Sequence, residues 1–493
     1  MTEEPRDMAL CYECVTDGYL SGEIRRKGKR RKCTYCKGKR RCFDMEQMAD
    51  RVEEAFGQHF EVTNDQPTEE EYYRQHADPE STYWWYREGE SLPELLEDIG
   101  GVPYQAAQDV QEILEERHRR FFDEDFQEQP FSSEALYEIA GVSDTEWQSD
   151  WEAFEHTIKT ESRFFSRKVY DYLDKVFSGL EKFVSIGGRP LIAKLGPGEK
   201  LKGLHRARVF QDRQELLEAL KHPDLAIGTP ASRFARGGRM NAPGIAVFYG
   251  ATNAELALAE VRPPVGSKVV VGYFEMLRPL TLLDLTVLQH VRAEGSIFDP
   301  SYVPAQEKAL FLRNLAKRIA LPVMPVQEAN DYLPTQLIAD FLSEASGYGF
   351  DGIIFTSTQS AADGANVVLF NRAARVQEIM VREGSLITSH STVYEPADGD
   401  FESYNVVVQE PARAKKKVPE IKHVYHPTVG FLPSGDSYPI TDQREVSLRL
   451  LEQDLRIFDI ESVNVSYGEI SYKRSTIKKT RAPKIPDVSD LDF

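Results

Sequence analysis

The sequence predicts a multidomain α+β protein whose regions differ in composition. At 493 residues the chain is longer than a typical single domain. All five cysteines lie within the first 42 residues, and apolar residues at helical spacing follow from about residue 45. Beyond a linker at 186–190, which contains glycine and proline, short strands alternate with short helices. The predicted domains are residues 1–44, 45–200, 201–385 and 386–493.

The overall charge and the first residues argue against several classes of protein. A formal net charge of −19 argues against a general nucleic-acid or membrane binder, because phosphate groups repel an acidic surface. No apolar run approaches the roughly 20 residues that span a bilayer. The first residues lack the basic and apolar pattern of a signal peptide. We therefore expect a cytoplasmic protein without a membrane partner.

The cysteine spacing predicts a structural zinc ribbon in residues 1–44. Two CxxC pairs, Cys11 with Cys14 and Cys33 with Cys36, are separated by 18 residues, which matches the zinc-ribbon pattern. Each pair forms a tight turn that directs two thiolates at one Zn²⁺ ion. The competing interpretation is a chance cluster of free thiols. Cys42 is surplus, and we expect it to be a bystander rather than a substitute ligand.

The same segment is basic although the whole chain is acidic. Lysines and arginines crowd residues 25–32 and 37–41. A nucleic-acid contact at this ribbon is one interpretation. The preferred interpretation is a solvated turn, or a patch that docks on acidic regions of the same chain.

Helical patterns dominate residues 45–200. They predict helices over 44–60 and 105–122, and one long helix or two over 151–184. Ser132 and Ser143 each begin a pattern typical of a helix N-terminus. No phosphate-binding loop, histidine-rich metal motif or nucleophile elbow occurs there.

The region after the linker predicts a compact α+β sandwich rather than a doubly wound sheet. It lacks the GxGxxG turn of a dinucleotide-binding fold. Helices are predicted for the segment after Asn253 or Thr252 and for 334–345, and a further helix for 447–455. The predicted strands are 245–249, 268–274, 280–285, 352–355, 367–370 and 376–381.

Five motifs in this region occur in the order found in one family. They are His205-Arg206-Ala207-Arg208, the glycine-flanked loop from Gly238 to Gly244, the strand and helix from Ala246 to Val261, the strand from Asp351 to Ser357, and the segment from Gly364 to Phe370. Together they resemble the RES domain, which is named for its Arg, Glu and Ser. Met240 and Phe355 replace the more common Phe and Tyr, and neither change removes a reactive group.

The resemblance implies an ADP-ribosyltransferase-like fold that cleaves NAD⁺, with Arg206, Glu260 and Ser357 as the catalytic triad. Glu260 would stabilise the oxocarbenium-like transition state, and Ser357 would hydrogen-bond the ribose or nicotinamide. Arg206, with Arg239 as a second candidate, would bind the pyrophosphate, and Arg208 is the chief competitor to Arg206. Tyr249 would stack on the nicotinamide ring. The resemblance also makes Asn366 a substrate-binding residue.

The helical region resembles the HEPN-like domain that precedes some RES domains. Catalytic HEPN domains carry an Arg followed by a His five to seven residues later. None of the ten histidines here has an Arg at that distance. We therefore expect a scaffolding or sensing domain without nuclease activity.

Three classes of function follow from these features. The favoured one is an NAD⁺-degrading enzyme of the toxin–antitoxin or phage-defence type, restrained by an antitoxin or regulatory protein; a homo-oligomer is compatible with it. An ADP-ribosyltransferase that modifies a macromolecule is the alternative, and a non-catalytic zinc-ribbon interaction protein is the third. The sequence leaves open whether water or phosphate accepts the ADP-ribose.

Overall fold

The computed structural model describes most of the chain. The described residues are 8–76, 84–119, 129–163, 166–321, 323–324, 328–357, 364–394, 401–411, 442–463, 470–472 and 474. Helix and sheet are mixed, as the sequence predicts. None of the helices within these ranges is long and apolar enough to cross a membrane.

The N-terminal segment forms a small antiparallel sheet with one helix. Its strand order is β1-β3-β2. Asp17 begins the helix by accepting a 2.7 Å hydrogen bond from the Leu20 N–H, as an N-cap residue does. The elements are β1 Ala9–Cys11, α1 Gly18–Lys27, β2 Lys29–Lys32 and β3 Lys39–Asp44.

The next region is built on two long helices that pack against this sheet. Asp44 and Gln47 form a reciprocal capping box at the start of α2. The predicted helices at 44–60 and 105–122 are confirmed as α2 and α5, except that residues 120–122 lie outside the described residues. The segment after Ser132 forms a strand instead of a helix. The elements are α2 Met45–His59, β4 Phe60–Val62, α3 Glu69–His76, β5 Glu90–Ser91, α4 Leu92–Asp98, α5 Tyr104–Arg119 and β6 Leu136–Ile139.

Two further helices leave this region and join the core of the C-terminal half. They are α6 Thr145–His156, which begins where Ser143 predicts, and α7 Arg167–Phe177. Trp147 and Trp151 of α6 lie in one apolar cluster with Phe311 and Phe350, and the Trp147 and Phe311 ring centroids are 5.4 Å apart. Side-chain packing therefore divides the core near residue 140, whereas the sequence places the domain boundary at 200.

The C-terminal half contains one eight-stranded sheet flanked by helices. The strand order is β18-β11-β9-β10-β15-β14-β12-β8, and only β12 and β14 are parallel neighbours. Its first elements are β7 Val184–Ser185, β8 Ile192–Leu195, β9 Gly203–Phe210, α8 Arg213–Lys221, α9 Pro223–Ile227, β10 Phe248–Ala251, α10 Ala254–Glu260, β11 Lys268–Met276, β12 Leu280–Asp284, α11 Leu285–Leu288 and β13 Val291–Arg292. The later ones are α12 Tyr302–Ala320, α13 Glu328–Asp331, α14 Leu333–Asp340, β14 Gly352–Phe355, β15 Asn366–Leu369, β16 Leu386–Tyr394, β17 Phe401–Gln409 and β18 Leu448–Asp459.

Most sequence predictions in this half are confirmed. The predicted strand at 245–249 is displaced, because β10 begins at Phe248 and ends at Ala251, and two other predictions are wrong. The predicted helix at 447–455 is part of β18, which pairs with β11 over nearly the whole length of that strand. The predicted strand at 376–381 makes only one isolated bridge, at Val376. Both errors have one cause, since pairing partners distant in sequence decide whether a short apolar segment is a strand.

The sheet is split between β9 and β10. β9 pairs with β11 at eight positions, but with β10 only at His205 and Ala251. Had that register continued, Gly250 would have faced Arg206. Because the pair at Gly250 is not formed, the sheet consists of two halves joined at one point.

The loop before α12 connects the C-terminal half to the N-terminal region. Ile297 and Phe298 lie in the apolar core of the N-terminal region. Arg51 of α2 donates a 2.6 Å hydrogen bond to the Phe298 carbonyl, and Ser296 donates one of 2.9 Å to Asp17. The N-terminal region therefore holds the segment from which α12 starts.

Candidate functional site

Glu260 ends helix α10, which directly follows strand β10. Asn253 begins this helix by accepting a 2.8 Å hydrogen bond from the Leu256 N–H. Leu256 and Ala257 pack the helix on the sheet beside Ala251 and Val271. This packing leaves the Glu260 side chain exposed. No cation among the described residues forms an ion pair with its carboxylate.

Asn366 holds the Glu260 carboxylate in place. The Asn366 Nδ2 group donates a 2.9 Å hydrogen bond to Glu260 Oε2. Asn366 lies at the start of β15 and is 4% exposed, so the amide is fixed by the sheet. Its Oδ1 atom is buried and has no hydrogen-bond partner in the described part of the chain. A buried amide oxygen without a partner is costly, and it offers an acceptor to a bound ligand.

Asn366 belongs to a row of four directly paired residues that crosses four strands of the sheet. His205 of β9 faces Ala251 of β10, Ala251 faces Asn366, and Asn366 faces Phe355 of β14. Ser357 follows two residues after Phe355 and is half-buried. Because side chains of directly paired residues lie on the same face, Asn366 and α10 share one face at the point where the half-sheets meet.

Arg206 extends from the opposite face of β9. It belongs with Leu204, Phe210 and Phe248 on the face covered by α8 and α9, and its guanidinium carbon lies 5.2 Å from the centre of the Phe248 ring. Its Nε–H donates to the Ile227 carbonyl at 2.8 Å. Its Nη1 donates to the Tyr249 carbonyl at 2.7 Å. The side chain therefore bridges the split, where backbone pairing is absent.

The charge of Arg206 is not balanced by a neighbouring acid. No carboxylate among the described residues pairs with it, and burial lowers the pKa of the guanidinium to about 10. Arg208 differs, because its guanidinium contacts Glu215 at 3.1 Å as well as the Ala226 carbonyl. Arg206 is thus a protonated cation at pH 7 that no described carboxylate neutralises, whereas the charge of Arg208 is paired with that of Glu215.

The glycine-flanked loop is fastened by Asn241 and Tyr249. The Tyr249 hydroxyl donates a 2.9 Å hydrogen bond to Asn241 Oδ1 and accepts one of 3.1 Å from the Met240 N–H. Asn241 Nδ2 donates in turn to three loop carbonyls. A β-carbon at Gly238 would lie 2.7 Å from the Tyr249 hydroxyl, so the loop requires glycine there. Sequence analysis missed this role of Asn241; the signal was an amide side chain inside the glycine-flanked loop.

Arg239 of the same loop holds the end of helix α12. It donates to the Ile319 carbonyl and, at 2.7 Å, to the Leu321 carbonyl. A cation at a helix C-terminus is favourable because carbonyl groups there lack partners. Neither Arg239 nor Arg236 forms an ion pair with a described residue. The loop therefore presents positive charge that no described carboxylate neutralises.

The structure brings some predicted site residues together and separates others. Glu260 contacts Asn366, and Tyr249 contacts the loop that carries Arg239. Ser357 lies two residues beyond the end of β14, the strand next to Asn366. Arg206 lies on the other face of the sheet, and among the described residues its link to this group is the hydrogen bond to the Tyr249 carbonyl.

The four predicted zinc ligands form one cluster. Their Sγ atoms all lie within 4.8 Å of one another, and the Cys11–Cys36 and Cys14–Cys33 distances are 3.5 and 3.8 Å. Four thiolates in a tetrahedron around zinc lie about 3.8 Å apart. Cys42 is buried beside them but outside the cluster, and its Sγ contacts the Arg31 and Arg40 carbonyls.

The surroundings of the cluster suit a cation. Burial raises the pKa of the Cys11 and Cys14 thiols, because a thiolate removed from water is costly when no positive charge lies beside it. A hydrogen bond from the Gly38 backbone lowers the pKa of Cys36 to about 7. Tyr35, which lies between Cys33 and Cys36 in the second CxxC turn, donates a 2.6 Å hydrogen bond to Asp109 of α5. The cluster is thereby anchored to the helical region.

Comparison with protein families identifies two parts of the chain. Residues 209–389 match the RES domain, and residues 26–171 match the HEPN/RES N-terminal domain 1. The first match contains Glu260, Ser357, Arg239, Tyr249 and Asn366, and begins three residues after Arg206. The chain shows no significant match to a curated protein or to a solved structure.

Proposed function

We propose, from a chain that carries a HEPN/RES N-terminal domain followed by a RES domain, that the C-terminal half cleaves the nicotinamide–ribose bond of NAD⁺. The observation that carries this proposal is the exposed Glu260 carboxylate, which is oriented by Asn366 and paired with no described cation. A carboxylate held in one orientation, without a cationic partner, is suited to stabilise a positive charge that develops during reaction.

The reaction separates the nicotinamide from C1′ of the ribose. The C1′–N1 bond breaks, and its electron pair leaves with the ring nitrogen, which neutralises the pyridinium. C1′ becomes oxocarbenium-like, and Glu260 lies against that charge. The oxygen of water or inorganic phosphate then bonds to C1′ and releases a proton. The product is ADP-ribose or its 1-phosphate.

The remaining site residues bind and position the dinucleotide. The charge of Arg239, which no described carboxylate neutralises, favours the pyrophosphate, since a guanidinium is permanently charged. Arg206 supports the site from the opposite face of the sheet through its hydrogen bond to the Tyr249 carbonyl. The unpartnered Oδ1 of Asn366 accepts a hydrogen bond from a ribose hydroxyl or the nicotinamide amide, and Ser357 adds a second polar contact. Tyr249 has its hydroxyl fixed by the loop and offers its ring for stacking on the nicotinamide.

The cysteine cluster holds one structural Zn²⁺ ion in this proposal. Four thiolates and the short Sγ–Sγ distances suit tetrahedral zinc, and a site with four protein ligands leaves no open position for catalysis. The ion therefore organises the N-terminal sheet and does not act on NAD⁺.

The biological setting we propose is a toxin of a toxin–antitoxin or phage-defence system in the cytoplasm. NAD⁺ cleavage without restraint halts metabolism, so an enzyme of this kind requires an antitoxin or other regulatory partner. The HEPN/RES N-terminal domain, which lacks the Arg–His pattern of a nuclease, is the proposed sensing element.

The decisive experiment compares two glutamates on the same helix. Glu260→Gln keeps the shape of the side chain and removes its charge, and we expect the rate of nicotinamide release to fall by about 10²–10³. NAD⁺ binding, measured by calorimetry, should largely survive, because the charge acts mainly in the transition state. Glu255→Gln, an exposed position in the first turn of α10, should retain full activity.

Each product pattern leads to a different conclusion. Free ADP-ribose identifies water as the acceptor, and its 1-phosphate identifies phosphate. Labelling of added protein or nucleic acid would show that the enzyme is an ADP-ribosyltransferase instead. Unchanged NAD⁺ with the wild-type protein, or a folded Glu260→Gln variant that turns over at the wild-type rate, would refute it.

A further inference from the structure

A second charged surface lies far from Glu260 in the sequence and contains none of the proposed NAD⁺-site residues. Residues 25–41 contain eleven lysines and arginines and no acidic residue, in a chain of net charge −19. They occupy the end of α1, strand β2, the turn at Cys36 and the start of β3. We call this surface the basic ribbon.

The strand register concentrates these charges. Arg30 faces Arg41, Arg31 faces Arg40, and Lys32 faces Lys39. Like charges directly opposite each other in a sheet are destabilising. All four residues of β2 are exposed, so nothing in the described fold requires positive charge there. Three consecutive pairs of this kind indicate that an external anion balances them.

The protein itself neutralises little of this charge. Lys27 pairs with Glu23 and Arg40 pairs with Glu13. The other nine cations form no ion pair with the residues that the structure describes. Docking on acidic regions of the same chain is therefore limited to these two contacts. Lysines on an edge strand can serve to prevent aggregation, but that role does not require cations on both strands.

The shape of the ribbon selects among polyanions. β1 pairs with β3 only from Cys42 to Asp44, so Lys39 and Arg40 belong to a stretch paired with β2 alone. A two-stranded antiparallel ribbon fits the major groove of B-form DNA, which is about 12 Å wide. The major groove of A-form RNA is too narrow and deep for side chains to read. The cysteine cluster at the end of the hairpin fixes its shape.

We propose that the basic ribbon binds double-stranded DNA through its phosphate backbone. Arg30, Arg31, Lys32 and Lys39 are the contacting side chains. Binding is independent of base sequence, because phosphate contacts position a protein without reading bases. The acidic remainder of the chain is repelled by DNA and keeps the contact confined to the ribbon.

The test measures DNA affinity of the full-length protein as a function of salt. A labelled 25-base-pair duplex is titrated by fluorescence anisotropy at 50 and 200 mM NaCl. Four phosphate contacts give a slope of about −3.6 for log affinity against log salt, so affinity falls about 150-fold between these concentrations. Arg30→Gln/Arg31→Gln should reduce the slope to about −1.8, which corresponds to a fall of about 12-fold.

Two matched variants make the result specific. Arg167→Gln/Lys168→Gln removes the same charge from an exposed part of α7 and should leave both affinity and slope unchanged. Arg30→Lys/Arg31→Lys keeps the charge and should retain the slope. Metal content is measured for each protein, and if the glutamine variant loses its metal, Lys32→Gln/Lys39→Gln replaces it.

Every other outcome overturns the proposal. No binding at 50 mM NaCl, or an equal loss in the α7 variant, would show that the ribbon is not the site. Equal or tighter binding of duplex RNA would show that the ribbon does not select B-form DNA by the width of its major groove. Competition by polyglutamate as strong as that by DNA would assign the ribbon to an acidic protein instead. NAD⁺ cleavage is not used as a readout, so failure here leaves the proposed enzyme activity untouched.

Discussion

Replacing Arg206 tests whether this side chain joins the two halves of the sheet. Arg206→Ala removes hydrogen bonds to the Ile227 and Tyr249 carbonyls, at 2.8 and 2.7 Å, and a contact with the Phe248 ring. Hydrogen bonds from a charged donor contribute about 1.5–3 kcal/mol each, and the ring contact about 0.5–1 kcal/mol. Because the side chain is only half-buried and the losses overlap, we expect a loss of about 3–5 kcal/mol.

That loss converts into a measurable change in melting temperature. For a folding unit of this size, 1 kcal/mol corresponds to about 2–4 °C, so Arg206→Ala should lower the melting temperature by about 6–20 °C in scanning calorimetry. Arg206→Lys should rescue only part of it, since an ammonium cannot span two carbonyls as a planar guanidinium does. Arg208→Ala, which removes an exposed ion pair, should cost about 1 kcal/mol.

The opposite result would show that the reasoning is wrong. If Arg206→Ala melts at the wild-type temperature while calorimetry shows a tenfold or greater loss of NAD⁺ affinity, the guanidinium acts as a direct ligand rather than as a bridge. If Arg208→Ala is as destabilising as Arg206→Ala, the stabilisation comes from the hydrogen bonds to the α9 carbonyls, which both arginines make, and not from the contact that joins the two half-sheets.

Three further predictions concern the N-terminal half. Elemental analysis should find one zinc per chain in the wild type and in Cys42→Ser and none in Cys14→Ser; zinc lost from Cys42→Ser would contradict the four-ligand site. Burial lowers the pKa of His59, so the folded protein resists its protonation and stability should fall as the pH drops below about 6.5. His59→Leu should reduce that fall in melting temperature, and the exposed His156→Leu should not. Residues 45–200 expressed alone should not cleave RNA without a metal ion, and RNA cleavage that co-purifies with this fragment would overturn that expectation.

Much of the local structure could be predicted because its cause lies in adjacent residues. The two CxxC turns, the Asn253 cap of α10 and the strands at β11, β12, β14 and β15 follow from spacing and periodicity within a few residues. Helix α12 was not predicted, although Leu312, Leu315, Ala316 and Ile319 repeat at helical spacing. The motif order was sufficient to predict the RES domain.

Contacts between distant residues could not be predicted in the same way. The hydrogen bond between Asn366 and Glu260 joins positions 106 residues apart. Strand β18 occupies the edge of the sheet next to β11, although it lies in the segment that sequence analysis assigned to an extension of unknown role. Helices α6 and α7 pack into the core of the C-terminal half, although sequence analysis assigned their residues to the helical region before it. Each depends on which apolar surfaces remain to be buried after the chain collapses.

The sequence alone determined the chemical groups of this protein: the four thiols, the Glu260 carboxylate and the cationic loop. Only the tertiary structure decided how they are used. It placed Glu260 beside Asn366 and turned Arg206 to the opposite face, because side chains alternate along a strand and β9 separates from β10 after a single pair. Local spacing is encoded in neighbouring residues, whereas strand pairing depends on the free energy of closing long loops and burying the surfaces that meet.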